Sequence, residues 1–254
     1  MKIHFIGIGG IGVSALARYF LARGDNVSGS DAVESEIIED LRKSGAKIYI
    51  SNNSITSSQP SPSKGEGEIL PPPRPTRVEA GNPPFIKEGI NKVIYSAAVQ
   101  ESNPELTEAR KRGIKCQKYA EALGEITKEK FTIAVSGMHG KSTTTAMIGL
   151  MMEEAGLDPT VIVGTKVEWR SAADVVRPFG AYPQGTKIQY RQGLLAKGKG
   201  NVGSGTSNFR AGKSQYLVIE ADEYDRSFLS YWPKILALLN IEEEHLDFYK
   251  DLSD

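Results

Sequence analysis

Cysteine is nearly absent from this chain: Cys116 is the sole one in 254 residues. No disulfide can close within the chain, which fits a reducing compartment and excludes the stapled secreted scaffolds. Cys116 lies in "GIKCQKY", read as a buried strand, where a lone thiol packs rather than reacts. A surplus of either charge is also lacking, with 31 basic against 31 acidic residues. Without a basic excess there is no electrostatic footprint for nucleic acid or for an anionic membrane surface. Long apolar runs are missing, so no window is suited to span a bilayer. The opening "MKIHFIGIGG" has neither the apolar stretch nor the small-residue cleavage site of a secretory signal. These absences predict a cytoplasmic globular protein with no nucleic-acid or membrane partner, and they leave its oligomeric state open. The chain is long enough to bury a sizeable core in one large unit or two ordinary ones.

What is present alternates. Residues 2–8 read as a strand, and Val13, Leu16, Ala17 and Phe20 follow at helical spacing until Gly24 stops them. "NVSGSD", "ESEIIEDLRKSG" and "AKIYI" continue the strand-helix alternation, which implies a parallel sheet with right-handed crossovers. Residues 51–84 break the pattern. They are rich in Ser, Pro and Gly, too poor in apolar surface to offset ordering entropy, and are expected to be a dispensable disordered insert. "KVIYSAAV" resumes as a strand, and "NPELTEARKRG" is a helix with Asn103 as cap and Pro104 in its first turn. A second series starts at "FTIAVSG", so the expected division is a first domain over 1–128 and a second over 129–254. Residues of about 168–206 have weak periodicity and read as an insertion loop.

Four stretches carry chemistry. Gly7-x-Gly9-x-x-Gly12 lies between a strand and a helix, and Asp31 ends the next strand nineteen residues after Gly12. Such glycines let backbone N–H groups approach a pyrophosphate, and the acid can accept from a ribose or base. The residues leave the nucleotide undecided, with NAD as the plain reading. "VSGMHGKSTTTAMIG" is the second stretch. The general phosphate loop wants Gly, four spacers and Gly-Lys-Ser/Thr, yet Val135 stands where that first glycine belongs. The strand-to-helix context is nonetheless right, with Met147, Leu150 and Met151 marking one helix face. Lys141 can supply charge and the Ser142 hydroxyl can reach Mg²⁺. "EADEYD" follows the apolar "YLVI", placing Glu220 at a strand's C-terminal end, where acids can hold Mg²⁺. "NIEEEHLDFY" follows "ILALL", which puts Asn240 and His245 at another strand end. His4 alternates within the first strand and reads as structural. No Ser-His-Asp or Cys-His set is present.

Taken in order, these stretches resemble the Mur ligase family. The phosphate loop of that family is shortened to Gly-x-x-Gly-Lys-Ser/Thr, and "GMHGKSTTT" has that form, which accounts for Val135. "EADEYDRSFL" and "NIEEEHLDFY" resemble the next two signatures, and "GIGGIGVSALA", "GSD" and "YSAAVQESNPEL" resemble a UDP-binding domain. The resemblance implies an α/β fold, with a Rossmann-like parallel-sheet UDP-binding domain followed by a partial P-loop-type ATP-binding domain. It implies that the first domain binds UDP-N-acetylmuramate through Gly7, Gly9, Gly10, Ile11, Gly12, Asp31, Ser96 and Ala97. ATP would be held by Gly137, Met138, His139, Gly140, Lys141, Ser142, Thr143 and Asn240, and Mg²⁺ by Ser142, Glu220 and His245. Lys141, Glu220 and His245 would serve the chemistry, in which a substrate carboxylate takes the γ-phosphoryl group and the L-alanine amine then displaces phosphate.

Two residues depart from the family pattern: Glu244 stands for the usual Asp before the signature His, and Ser142 for the usual Thr. The family's third domain is expected to be absent from these 254 residues, with the second domain incomplete, so the chain alone is expected to be inactive in ligation. Alternatives at this stage are a ligase attaching a recycled tripeptide to the same UDP-sugar, a non-catalytic nucleotide-binding remnant, and an NAD-dependent dehydrogenase.

Overall fold

The computed structural model describes residues 1–50, 89–169, 205–222 and 224–242. The expected insert at 51–84, most of that at 168–206, and His245 with Glu244 lie outside the described residues.

The first sheet is built from β1 (Lys2–Ile6), β2 (Asn26–Asp31), β3 (Lys47–Ile50), β4 (Lys92–Tyr95) and β5 (Lys115–Lys118), interleaved with α1 (Ile11–Ala22), α2 (Glu36–Lys43) and α3 (Pro104–Lys111). All its strand pairs are parallel, in the order β3-β2-β1-β4-β5. The helix ends follow their sequence signals. The Ser35 side chain accepts from the Ile38 N–H at the start of α2, and the Asn103 side chain accepts from the Glu105 and Leu106 N–H groups at the start of α3. Basic residues close both helices, where they complement the helix dipole. Cys116 falls on β5, the edge strand, and is half-buried rather than sealed in the core. An edge strand has a neighbour on one side only, which the short apolar run did not reveal.

Helix α4 (Tyr119–Glu129) leads to the second sheet, made of β6 (Phe131–Ser136), β7 (Thr160–Trp169), β8 (Gly205–Arg210), β9 (Tyr216–Glu220) and β10 (Ile235–Leu238), with α5 (Lys141–Glu154) and a 3-10 helix at Tyr224–Ser230. Its order is β10-β6-β9-β7-β8. This sheet is mixed, because β8 runs antiparallel to β7. The β7–β8 hairpin corrects the sequence reading at both ends of the expected insertion loop, since β7 runs on to Trp169 and β8 begins at Gly205. The Trp169 indole N–H donates to the Ser207 carbonyl at 2.9 Å and fixes the pairing.

Helix α5 also differs from expectation. Met147 and Met151 are 55% and 65% exposed, while Thr145, Gly149, Met152 and Glu153 face inward. Gly149 lies against Val161 and Trp169, so Thr145, Gly149 and Met152 set the packing face while Met147 and Met151 are turned outward.

One hydrophobic cluster runs through both sheets, from Phe5, Leu16 and Leu123 to Ile162, Phe209 and Ile219. Helix α1 is the shared element. Its Tyr19 meets Phe209 edge-on at 6.5 Å between ring centroids, and burying a ring such as Phe209 contributes about 1.5–3 kcal/mol. The Asn208 amide donates to the Ile11 carbonyl and the Ser14 hydroxyl, so β8 holds the first turn of α1. Among the described residues no helix is long and apolar enough to cross a membrane.

Candidate functional site

The glycine turn leaves β1 at Gly7, whose φ of +76° lies in the left-handed region open chiefly to glycine. The N–H groups of Gly7 and Ile8 both donate to the Ser30 carbonyl, at 2.9 and 3.1 Å. Gly9 donates to Asp31 Oδ2 at 2.7 Å, and Gly10 donates to the Gly7 carbonyl at 3.3 Å. Three predicted binding residues, Gly7, Gly9 and Gly10, thus spend their N–H groups on the turn itself. Asp31, read from sequence as a ligand acceptor, is engaged by Gly9 and by the Ala32 N–H. Gly10 caps α1 without a side-chain hydrogen bond, which leaves the first-turn N–H groups of Ile11, Gly12 and Val13 facing outward at the positive helix end.

Ser96 and Ala97 follow β4, the strand beside β1. A Cβ on Gly7 would lie 3.2 Å from the Ser96 Cβ, so the two turns touch. The strand order reverses between β1 and β4, and open α/β sheets take ligands at such a reversal, outside the strands' C-terminal ends. Below the turn runs a buried polar chain. His4 Nδ1 lies 2.9 Å from the Ser28 hydroxyl, and His4 Nε2 lies 3.1 Å from Glu105 Oε2. The Ser30 hydroxyl donates to the same Glu105 oxygen at 2.7 Å. His4 is structural, as its place in β1 predicts, and the chain braces the residue whose carbonyl holds the turn.

The second loop joins β6 to α5. Val135 is buried as the register partner of Glu220, so the position that holds glycine in longer loops here belongs to the strand. Gly137 has φ +132°, and a Cβ there would sit 3.0 Å from the Asn240 backbone nitrogen. The Asn240 side chain clamps the loop, accepting from the His139 N–H at 2.9 Å and donating to the His139 carbonyl at 3.1 Å. Lys141 Nζ donates to the Gly137 carbonyl at 2.7 Å and to the Met138 carbonyl at 3.2 Å. Gly140, in the left-handed region, caps α5 without a side chain. The Ser142 hydroxyl donates to Glu220 Oε1 at 3.0 Å, and the Gly164 N–H donates to Glu220 Oε2 at 2.7 Å. Thr143 is exposed on the first turn of α5.

The predicted loop residues, Glu220 and Asn240 are therefore brought together at the C-terminal ends of β6, β9 and β10. Among the described residues no group of three or more His, Cys, Asp or Glu is placed to hold a metal. Ser142 with Glu220 fits Mg²⁺, which takes one or two protein oxygens and completes its shell with phosphate and water. Two residues had no sequence signal. Gly164 sits inside β7, where nothing marks it. Tyr119 opens α4, with its ring against Gly12. Burial, with the Glu220 and Asp222 carboxylates nearby, pushes its phenol well above the ordinary tyrosine value.

A helix N-terminus at a strand-order reversal, joined through one core to a Lys-Ser loop facing a carboxylate, is an arrangement of the kind with which α/β proteins receive anions. The chain belongs to the Mur ligase family: residues 2–131 match the family model described as "Mur ligase family, catalytic domain", and residues 135–254 match "Mur ligase middle domain". It is 37% identical over 254 residues to the UDP-N-acetylmuramate–L-alanine ligase of Clostridium novyi, covering all of this chain and 41% of that protein. The ligase of the same name from Persephonella marina is 35% identical over 252 residues, with 99% and 41% covered. The chain thus spans 41% of the length of these curated relatives. The crystal structure of a UDP-N-acetylmuramate–alanine ligase from Thermotoga maritima superposes with a TM-score of 0.66 at 25% identity, covering 97% of this chain and 43% of that one.

Proposed function

We propose that this chain carries the UDP-N-acetylmuramate and ATP sites of a cytoplasmic ligase that joins L-alanine to that sugar nucleotide in peptidoglycan precursor synthesis. The observation that carries the reading is the Ser142–Glu220 pair at the start of α5, set beside a lysine loop and sharing a core with the glycine turn. The named relatives support the choice of substrate and amino acid. We take 1–128 as the sugar-nucleotide unit and 129–254 as the ATP unit.

Each residue has a role in this reading. The α1 N–H groups at Ile11 and Gly12 would receive the diphosphate, with Gly7, Gly9, Gly10 and Asp31 shaping the turn and Ser96 and Ala97 flanking it. Gly137 to Thr143 would wrap the ATP phosphates, Lys141 would neutralise their charge, and Asn240 would hold the loop open around them. Ser142 and Glu220 would hold Mg²⁺, with His245 as the further ligand proposed from the family signature. When bound, ATP and Mg²⁺ would supply an electrophilic γ-phosphoryl group that converts the substrate carboxylate to an acyl phosphate open to the L-alanine amine. The chain's own contribution is positioning and charge neutralisation, which dominate phosphoryl transfer, so no side-chain nucleophile is required.

The test is calorimetric titration of the chain with UDP-N-acetylmuramate, NAD and Mg·ATP. Binding of UDP-N-acetylmuramate and Mg·ATP without NAD is expected. NAD binding with none for UDP-N-acetylmuramate would overturn the reading.

A further inference from the structure

Asn208 lies on β8, in the second sheet, yet its side chain bonds to α1, which packs on the first. The amide nitrogen donates to the Ile11 carbonyl and, at 3.0 Å, to the Ser14 hydroxyl. The amide oxygen accepts from Arg18 Nε at 3.4 Å. Ile11, Ser14 and Arg18 follow one another at helical spacing and so share one face of α1. Asn208 is 2% exposed and Arg18 7%. An apolar side chain could fill such a place by packing alone, whereas a buried amide must find partners. Here its donors and its oxygen find them on a single helix, and a satisfied buried network of this kind specifies one arrangement.

The Ile11 carbonyl belongs to the same peptide unit as the Gly12 N–H. That unit is planar and trans, so the carbonyl and the N–H point in opposite directions and turn together. The Ser14 hydroxyl donates to this carbonyl as well, at 2.8 Å. Asn208 and Ser14 therefore fix the direction of the Gly12 N–H from behind. Hydrogen bonds in series also polarise one another, so a carbonyl that accepts more makes its N–H the stronger donor. We propose that Asn208 is a positioning residue for the sugar-nucleotide site, aiming the Gly12 N–H at the diphosphate from the far end of its peptide unit. The site is then shared: the first unit supplies the N–H, and the second holds its direction through β8. This inference rests on the function proposed above and adds to it a residue of the ATP unit. Phe209, the next residue on β8, meets the same helix at Tyr19 by ring packing alone.

The test titrates UDP-N-acetylmuramate, UDP and Mg·ATP by calorimetry into wild type, Asn208→Leu and Phe209→Leu. Leucine is close to asparagine in shape but has no donor. The expected result in Asn208→Leu is about a 5-fold or greater loss for UDP-N-acetylmuramate, a matching loss for UDP, and Mg·ATP affinity unchanged within about twofold. Phe209→Leu loosens the same joint through packing and should keep all three affinities within about twofold. Ser14→Ala removes the other side-chain donor to the Ile11 carbonyl and should cost both uridine nucleotides about 3-fold or more; it decides the question where Asn208→Leu does not fold. Unchanged uridine-nucleotide affinity, an equal loss in Phe209→Leu, an equal loss for Mg·ATP, or a loss for UDP-N-acetylmuramate that UDP does not share overturns the inference while the proposed function stands. Failure of the wild type to bind UDP-N-acetylmuramate overturns both.

Discussion

Gly137→Ala is the sharpest test of the phosphate loop, because two separate costs meet at that residue. The first is conformational. At φ +132° a residue with a Cβ carries strain of about 1–3 kcal/mol. The second is crowding. The added Cβ would lie 3.0 and 3.1 Å from the Asn240 backbone nitrogen and oxygen and 3.1 Å from the Leu239 Cβ. These atoms belong to a backbone held to the loop by the Asn240 clamp, so they cannot swing away as a flexible side chain would. Overpacking of this kind costs about 1–3 kcal/mol. Gly156→Ala is the control. Gly156 also has positive φ, at +76°, but nothing lies within 4 Å of its added Cβ, so it carries the conformational cost of about 1–2 kcal/mol alone. If the fold absorbs the crowding, Gly137→Ala melts about 2–12 °C below the control. If the loop yields instead, ATP affinity falls by about 5- to 150-fold. Thermal melting and ATP calorimetry on both variants measure the two shares. A Gly137→Ala protein that melts with the control and binds ATP like the wild type would refute the assignment of this loop.

Three further outcomes are expected. Lys141→Ala should weaken ATP binding by about 2–5 kcal/mol, and unchanged calorimetric affinity would remove Lys141 from the phosphate site. Glu105→Ala takes an acceptor from both His4 and Ser30 in the buried chain and should cost about 1–3 kcal/mol in denaturant unfolding; sugar-nucleotide affinity should fall with it, because the Ser30 carbonyl holds the turn. Hydrogen bonds from Lys115 and then Lys92, with Gln117 adding to them, hold the Glu125 carboxyl down at about 2 against an ordinary 4.5. With the folded value below the unfolded one, the stability it confers is complete above pH 4.5 and drains away as pH falls toward about 2. Solvent screening at this half-exposed side chain keeps the effect small. Glu125→Gln should therefore be less stable than wild type near neutrality and equal to it in strong acid, and a gap that persists at low pH would contradict the assignment.

Much of the site was legible because its parts are local. The Gly7–Gly12 turn, the Gly-Lys-Ser loop, and the polar residues ending "YLVI" and "ILALL" are each short stretches whose chemistry and strand context lie side by side in the chain. What escaped was non-local. The hairpin of β7 and β8 joins segments separated by a long insertion, and "TVIVGTKVEW" changes from an apolar run to a mixed one partway along, where the register shifts. Tyr119 escaped because its ring meets Gly12, about a hundred residues earlier in the chain. Periodicity misplaced Met147 and Met151 because apolar character alone marks a face, whereas packing here favours Thr145, Gly149 and Met152 opposite. Asp31 was read as a ligand acceptor, whereas in the structure its carboxylate accepts from the Gly9 and Ala32 N–H groups.

The clamp at Asn240 makes the phosphate loop dependent on an edge. Among the described residues β10 has a strand neighbour on one side only, β6, and its Ile235, Leu236 and Leu238 are 48%, 58% and 55% exposed. Strands in this setting open first in native-state fluctuations. Each opening withdraws Asn240 from His139, and with it the hold on the loop, so the cradle exists for the fraction of time that β10 stays docked. Linkage then runs both ways: a nucleotide that selects the shaped loop also fastens the edge strand, and amide exchange along β10 reports occupancy of a pocket that the strand itself never lines.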